Sequence, residues 1–520
     1  LGFFMSNIHH GGVVILDFGS QYTQLITRRI REQNVYSEIL PPNVSVANIE
    51  SRKPKAVIIS GGPASVFADD SPEFDTGVFD MDIPILGICY GLQLLAHHYE
   101  GKVEPGTKGE YGFAKIHHKN SNALLDQVED GSQVWLSHMD KVTKVPEGWS
   151  VLAESSNAIV AAMCSPDGKR YATQFHPEVV HTTFGETIIN NFLFKISACD
   201  PNWTAGNFIN DRIEKIQSQV GDGHVLCGVS GGVDSSVVAA LMQKAIGDRC
   251  DSVLIDHGLM RKNEADQCVH TLKDGLGVNI QLFDESEKFL EKLYGVEDPE
   301  QKRKIIGEQF IRSFENIAGR IGKVDYLAQG TLYPDVIESG VSHGKSAHVI
   351  KSHHNVGGLP KDMEFELVEP LRELFKDEVR KVGRELGLSE KLVGRHPFPG
   401  PGLAVRIIGE ITKERIAILQ EADDIYMNCL HEAGIYDEIW QAFSVLIPVK
   451  TVGVMGDQRT YENLLGLRAV TSSDGMTADW YRMPDDVLST ISNRIVNSVK
   501  GINRVVYDVT SKPPGTIEWE

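Results

Sequence analysis

Through residues 12–200, short apolar runs alternate with stretches whose apolar positions recur at helical spacing. GVVILDFG (12–19), AVIIS (56–60) and PILGI (84–88) read as buried strands. SQYTQLITRRIREQN (20–34) reads as an amphipathic helix with Ser20 as its N-cap, and GLQLLAHHY (91–99) as a second helix. The alternation resumes after residue 224. HVLCGV (224–229), DSVLIDHG (251–258), VNIQLF (278–283) and VDYLAQGT (324–331) are strands, with helices from Val233 and within 259–277. Such alternation predicts two mostly parallel sheets with helices on both faces and active sites at the carboxyl ends of the strands. Beyond residue 400 the pattern changes to two amphipathic helices (413–433 and 484–499) and the strands SVLIPVKTVGV (444–454) and RVVYDV (504–509).

The expected fold class is therefore two parallel-sheet α/β domains plus a smaller C-terminal α+β domain. Two breaks mark the boundaries. CDPNWTAGNF (199–208) mixes Pro, Gly and polar residues and suits a linker. RHPFPGPGLAVR (395–406) reads as a rigid connector, since its prolines fix φ and suppress helix. The expected division is 10–200, 206–400 and 401–520. Residues 338–364, rich in Gly, Ser and His, read as a mobile lid over bound phosphates.

Composition narrows the function. A chain of 520 residues is too long for one core. A net charge of −20 disfavours nucleic acid as a partner, because its phosphates would be repelled. No apolar run is long enough for a membrane span, and the N-terminal residues lack a signal-peptide pattern. Met5 reads as the natural start, with Leu1–Phe4 an upstream remnant. Seven scattered cysteines without a C-x-x-C pair indicate neither disulfides nor zinc and suit a reducing cytoplasm. The four His pairs lack a second set of ligands at metal spacing.

Three stretches carry chemistry. The first is SGGVDSS (230–236), a glycine turn between a strand and a helix. Free N–H groups and the positive end of the helix dipole attract phosphate there, and Ser230, Ser235 and Ser236 add hydroxyls. No Lys follows the glycines, so this is not a Walker A loop. The stretch resembles the loop of the PP-loop ATP pyrophosphatases, which cleave ATP between the α and β phosphates. The resemblance implies ATP contacts at Ser230, Gly231, Gly232, Val233, Asp234, Ser235 and Ser236. Lys376, at the start of a helix, is a candidate phosphate cation. Asp234 is a candidate Mg²⁺ ligand, in the carboxylate-plus-phosphate mode that Mg²⁺ prefers. Apolar residues at the tip of SVLID are expected beside the adenine.

The second is G-x-C-x-G at Gly87–Gly91, a nucleophile elbow carrying Cys89 at a helix N-terminus. SGGP (60–63) supplies backbone N–H groups. Gly62 and Tyr90 are the candidate oxyanion donors. His176 is the candidate base and Glu178 its orienting carboxylate, expected on one strand face as i and i+2. GICYGLQ, SGGP and QFHPE resemble the class I glutamine amidotransferases, in which the Cys attacks the carboxamide of glutamine and releases ammonia. The resemblance implies a triad of Cys89, His176 and Glu178, with Gln93, Ser137, His138 and Asp140 around bound glutamine.

The third is the tail KPPGTIEWE (512–520). Its prolines, cation, aromatic and acids suggest a docked segment that contacts a substrate. The order of all these parts resembles the family of amidotransferase ligases that make GMP from xanthosine 5′-monophosphate (XMP). That resemblance implies adenylation of the XMP C2 oxygen by Mg²⁺-ATP, then amination by ammonia from glutamine. It gives GMP, AMP, pyrophosphate and glutamate, with no tightly bound organic cofactor. It places XMP at Arg261, Lys512, Ile517 and Glu518, with Lys512 on the phosphate and Glu518 and the Ile517 backbone on the purine. It also implies a homodimer through the C-terminal domain. An NAD synthetase-like amidotransferase is the competing enzyme, but its glutaminase lacks the G-x-C-x-G elbow. A tRNA-modifying PP-loop protein would carry a basic domain, and an inactive scaffold would lack the reactive groups.

Overall fold

The structure is a computed structural model that describes residues 8–68, 71–106, 109–157, 159–322, 324–340, 366–455, 458–472 and 477–520. The chain divides into two compact units, Leu1–Asp211 and Arg212–Glu520.

The first unit is built on a nine-stranded sheet. Ser37–Leu40, Val13–Leu16, Ala56–Ile59, Ile85–Ile88 and Arg170–Thr173 run parallel in that spatial order. Val160–Cys164, Ser150–Ser155, Glu110–His118 and Gln133–His138 continue the sheet antiparallel. The last four strands of the parallel half are buried at every position, as a strand covered on both faces requires. Alternate residues feed two cores. Val13, Ile15, Ile58 and Leu86 pack on one face; Val14, Leu16, Val57, Ile59 and Ile85 pack on the other.

Two local expectations need correcting. Ser20 does not cap the first helix, which spans Thr23–Glu32 with Tyr22 at the cap. Ser20 closes a turn ahead of it, its Oγ accepting from Tyr22 N at 3.1 Å and its carbonyl from Thr23 N at 3.2 Å. Nor is 199–208 a free linker. Trp203 is 5% exposed, with its ring 4.9 Å from Tyr36, 5.6 Å from Phe208 and 5.2 Å from the Arg31 guanidinium. The Trp203 backbone N–H donates to Asn34 O at 2.8 Å. A large indole gains more by burial than a polar linker loses by being fixed.

The second unit holds a five-stranded parallel sheet. Its order is Ile280–Asp284, Cys250–Asp256, Val225–Val229, Tyr326–Ala328 and Glu366–Val368. The 230–236 stretch leaves the central strand and opens the helix Val233–Ile246. A second, four-stranded sheet follows, built on the antiparallel pair Gln441–Met455 and Gln458–Thr471. The register of the pair shifts between Ile447 and Thr451, around Pro448, which has no N–H to give the ladder. Ile502–Tyr507 joins it in parallel, and the helices Lys413–Glu432 and Asp485–Ser498 pack against it.

One apolar core runs through this whole unit, from Leu226 and Val253 to Leu465 and Ile502. RHPFPGPGLAVR is part of that core rather than a connector outside it. Leu403, Ala404 and Arg406 have no exposed surface, and Ile407 bridges to Leu446. A boundary at 400/401 therefore stands as a proposal from the sequence alone. The lid expected over 338–364 lies, from residue 341 onward, outside the described residues. Among the described residues no helix is long and apolar enough to cross a membrane.

Candidate active sites

In the first unit, the strand Ile85–Ile88 ends at Cys89, whose backbone is held at φ 54°, ψ −99° just before the helix Tyr90–His98. A left-handed φ on a residue with a Cβ costs about 1–3 kcal/mol and persists only where its surroundings enforce it. Two glycines enforce it. A Cβ at Gly87 would lie 2.5 Å from the Gly91 carbonyl, and one at Gly91 would lie 2.6 Å from Ile59 O. The helix thus lies directly on the strands with the thiol at its N-terminus.

His176 and Glu178 do not share a strand. The strand stops at Thr173, and both residues lie in the turn that follows, with Pro177 between them. Proline fixes φ and offers no ladder donor, so no regular strand pairing runs through the segment between His176 and Glu178. The turn still brings the pair together. His176 Nδ1 is 2.7 Å from Glu178 Oε1, and both side chains are buried. The imidazole is braced by His176 N to Trp135 O (3.0 Å), by Thr182 Oγ1 donating to His176 O (2.6 Å) and by the Tyr22 ring edge-on at 5.0 Å. Burial pushes the imidazole pKa down. The Glu178 charge and hydrogen bonds with Cys89 and Glu178 outweigh it, raising the pKa to about 10. These contacts favour the protonated form of the ring.

SGGP passes over the same atoms. A Cβ on Gly61 would lie 3.2 Å from His176 Cε1 and 3.6 Å from Cys89 Cβ, while Gly62 turns against Phe18 O. Gln93, Ser137, His138 and Asp140 form one connected group with the thiol. Cys89 Sγ donates to Ser137 O (3.6 Å), Gln93 Nε2 donates to Asp140 O (2.9 Å), and His138 Nδ1 is 3.0 Å from the same carbonyl. Ser65 Oγ donates to Asp140 Oδ2 at 2.5 Å. Burial pulls the His138 pKa down further than the nearby Glu110 carboxylate lifts it.

In the second unit, Gly231 takes φ 76°, and the helix after Gly232 has no side-chain cap, so its first N–H groups are open to an anion. Ser235 Oγ accepts from Ser230 N and lies 3.1 Å from Ser230 Oγ. Ser236 is buried, its hydroxyl donating to Gly232 O at 2.8 Å, and Val233 is also buried. Val233 can offer a ligand only its backbone amide, and the Ser236 amide already donates to Gly232 O at 3.2 Å. Lys376 Nζ donates to both oxygens of Asp234 at 2.6 Å, so residues far apart in sequence meet at this loop. Arg395 fixes the loop from behind, donating to Gly231 O (2.9 Å) and pairing with Glu264 (2.7 Å). The SVLID tip is less available than expected, since Leu254 and Ile255 are buried in the core. Among the described residues no three His, Cys, Asp or Glu side chains converge as a metal cage. A single carboxylate, Asp234, fits a cation that arrives on phosphates.

The tail is docked. Ile517 is buried beside Phe443, Val445, Val470 and Ala478. Glu518 accepts two hydrogen bonds from Arg406 and one from Gln441 Nε2 at 2.7 Å. Arg261 and Arg406 approach one ring, Phe398, at 4.9 and 5.0 Å from its centroid. Lys512 bridges to Ala478 and lines a shallow cleft with Thr471, Ser472, Thr477 and Asp479.

A protein of Brachyspira hyodysenteriae named GMP synthase (glutamine-hydrolyzing) is 56% identical over 508 residues, covering 98% of this chain and 99% of that protein. The chain belongs to the glutamine-hydrolysing GMP synthase family. A relative of the same name from Symbiobacterium thermophilum is 55% identical over 509 residues, with the same coverage. Three family models match successive parts of the chain. Residues 14–196 match class-I glutamine amidotransferase, 204–308 match NAD synthase and 428–519 match the GMP synthase C terminal domain. The NAD synthase match covers the phosphate loop, which that competing reading shares; the first and third matches separate the two.

Sequence reasoning missed several members of these sites. Gly61 packs so closely that a Cβ there would meet His176 Cε1 at 3.2 Å. Gln174 Nε2 lies 3.8 Å from Cys89 Sγ, and Gln174 is 1% exposed. Glu110 faces His138, with its Oε2 3.2 Å from Nε2. Only the Gln of QFHPE had a motif to mark it.

Proposed function

We propose that this chain makes GMP from XMP with two separate pockets: one releases ammonia from glutamine, and one activates XMP with ATP. The observation that carries the reading is the pairing, in one chain, of the Cys89–His176–Glu178 constellation with the uncapped loop at 230–236.

In the first pocket, the Cys89 thiol proton passes to His176, and the sulfur attacks the carboxamide carbon of glutamine. The amides of Gly62 and Tyr90, beside Gly61, receive the developing oxyanion. His176 gives its proton to the departing nitrogen, and ammonia leaves. Water then attacks the glutamyl-thioester, His176 takes the proton, and glutamate is released. Gln93, Ser137, His138 and Asp140 line the bound glutamine.

In the second pocket, the C2 oxygen of XMP attacks the α-phosphorus of ATP, and pyrophosphate departs into the N–H groups of 230–236 and the Lys376 ammonium. Mg²⁺ carried on the phosphates and met by Asp234 would offset their charge. Ammonia then attacks C2, and the C–O bond to AMP breaks. GMP and AMP leave. Arg261, Lys512, Ile517 and Glu518 hold XMP, with Lys512 on the phosphate and Glu518 on the purine. The chain acts as a homodimer. Val452, Val454 and Tyr461 are 53%, 72% and 57% exposed on paired strands and supply an apolar face for a second copy.

The test is a stoichiometry. ATP, Mg²⁺, XMP and glutamine should give AMP, pyrophosphate and GMP in equal amounts. ADP with inorganic phosphate would overturn the reading. Cys89→Ala should end synthesis from glutamine and spare synthesis from added ammonia.

A further inference from the structure

Arg406 has no exposed surface. Its Nε and Nη2 donate to the two carboxylate oxygens of Glu518 at 3.1 and 2.8 Å. The guanidinium sits against two rings, 4.2 Å from the Phe443 centroid and 5.0 Å from that of Phe398. The third nitrogen, Nη1, is buried with no hydrogen-bond partner among the described residues.

Stability alone does not favour this arrangement. An ion pair removed from water generally gains less than a well-packed apolar pair of the same volume, and an orphaned N–H adds to the cost. What the arginine does supply is direction. Two parallel N–H bonds fix the plane of the Glu518 carboxylate, and Gln441 holds one of its oxygens. The neighbouring residues are fixed as well. Trp519 Nε1 donates to Asp508 at 2.9 Å. Glu520 pairs with Lys302, a fully buried lysine that also donates to Ala404 O and Ile407 O at 3.2 and 2.8 Å. Around Phe398, Arg406 Nη1 and Arg261 Nη2 make no hydrogen bond among the described residues, while Arg261 Nε pairs with Asp423 at 3.2 Å. Two guanidinium nitrogens near one ring, Arg406 Nη1 and Arg261 Nη2, keep donor capacity left over and complement a base that carries ring carbonyls.

We propose that Arg406 is a positioning residue for the purine substrate: it acts through Glu518, holding that carboxylate in the orientation that receives the N–H groups of the base. The proposal rests on Glu518 as a purine contact in the function proposed above.

The test is steady-state kinetics of the full chain with ammonia as nitrogen donor, varying XMP and ATP in turn. The proteins are wild type, Arg406→Met, Arg406→Lys, Glu518→Met and the double variant Arg406→Met/Glu518→Met. Arg406→Met should lose about 100-fold in kcat/KM for XMP, mostly through KM, with KM for ATP within about twofold of wild type. The double variant should be no worse than Glu518→Met alone. Equal losses for XMP and ATP, or additive losses in the double variant, would overturn the proposal and leave Arg406 a packing residue. If Arg406→Met fails to fold, Arg406→Lys decides. It keeps the charge and loses the two-pronged geometry, so a wild-type KM for XMP in that folded protein also overturns the proposal. A wild type that makes no GMP from XMP refutes the parent reading instead.

Discussion

His176 shows how a single residue couples chemistry to folding. Its pKa in the folded protein is raised to about 10, because the Glu178 and Cys89 contacts outweigh burial. Unfolded, it titrates near its ordinary value of about 6.5. Below that value both states are protonated, and the stabilisation is complete. Between the two values the folded state holds the extra proton, and stability falls by up to about 1.4 kcal/mol per pH unit. Above about 10 the contribution is gone. Urea denaturation of the first unit should therefore weaken from pH 7 to pH 10 more steeply in wild type than in His176→Gln; equal slopes would contradict the pairing. The reacting residues were legible because covalent chemistry fixes their type and spacing: Cys89 between two glycines, His176 two positions before Glu178. Gln174, Glu110 and Arg406 were not. Their partners come from elsewhere in the chain, and no local pattern announces that Arg406 will meet Glu518.

Strands and helices followed from hydrophobic period, since a strand buried on both faces must be apolar throughout. Their ends were less readable. Ser20 had the chemistry of a cap but closes a turn instead, and the strand that the i, i+2 reading continued stops at Thr173, short of both His176 and Glu178. Packing between elements is carried by positions with no side chain. Gly91 lets the helix Tyr90–His98 rest on the strand Ala56–Ile59, where a Cβ would lie 2.6 Å from the Ile59 carbonyl. Backbone cannot rotate away as a flexible side chain can. Gly91→Ala should cost about 1–3 kcal/mol of stability, read from denaturant midpoints, and should reduce glutamine hydrolysis with it. An unchanged midpoint would show that the helix can lift without penalty.

For the whole molecule, the sequence anticipated two α/β sheets and a further sheet, but it separated what the structure joins. Prolines at 397, 399 and 401 suggested a rigid connector between domains, whereas one core encloses residues on both sides of them. Composition cannot reveal that a proline-rich segment is buried, because burial depends on what folds over it. The exposed valines have the opposite problem: a strand with period-two apolar residues looks internal, yet Val452 and Val454 face outward. Val452→Glu together with Val454→Glu should weaken self-association about 10- to 100-fold, measured by sedimentation across protein concentration. A wild type that sediments as a monomer would remove the proposed interface.

Trp203 sets where the molecule can be cut. Truncation at residue 200, where the linker reading invites it, would strip the indole from Tyr36 and Arg31 and leave an apolar scar on the glutaminase half. A fragment carried through Asp211 keeps Trp203 and its neighbour Phe208 in place. The same ring gives that fragment an intrinsic fluorophore at its own edge.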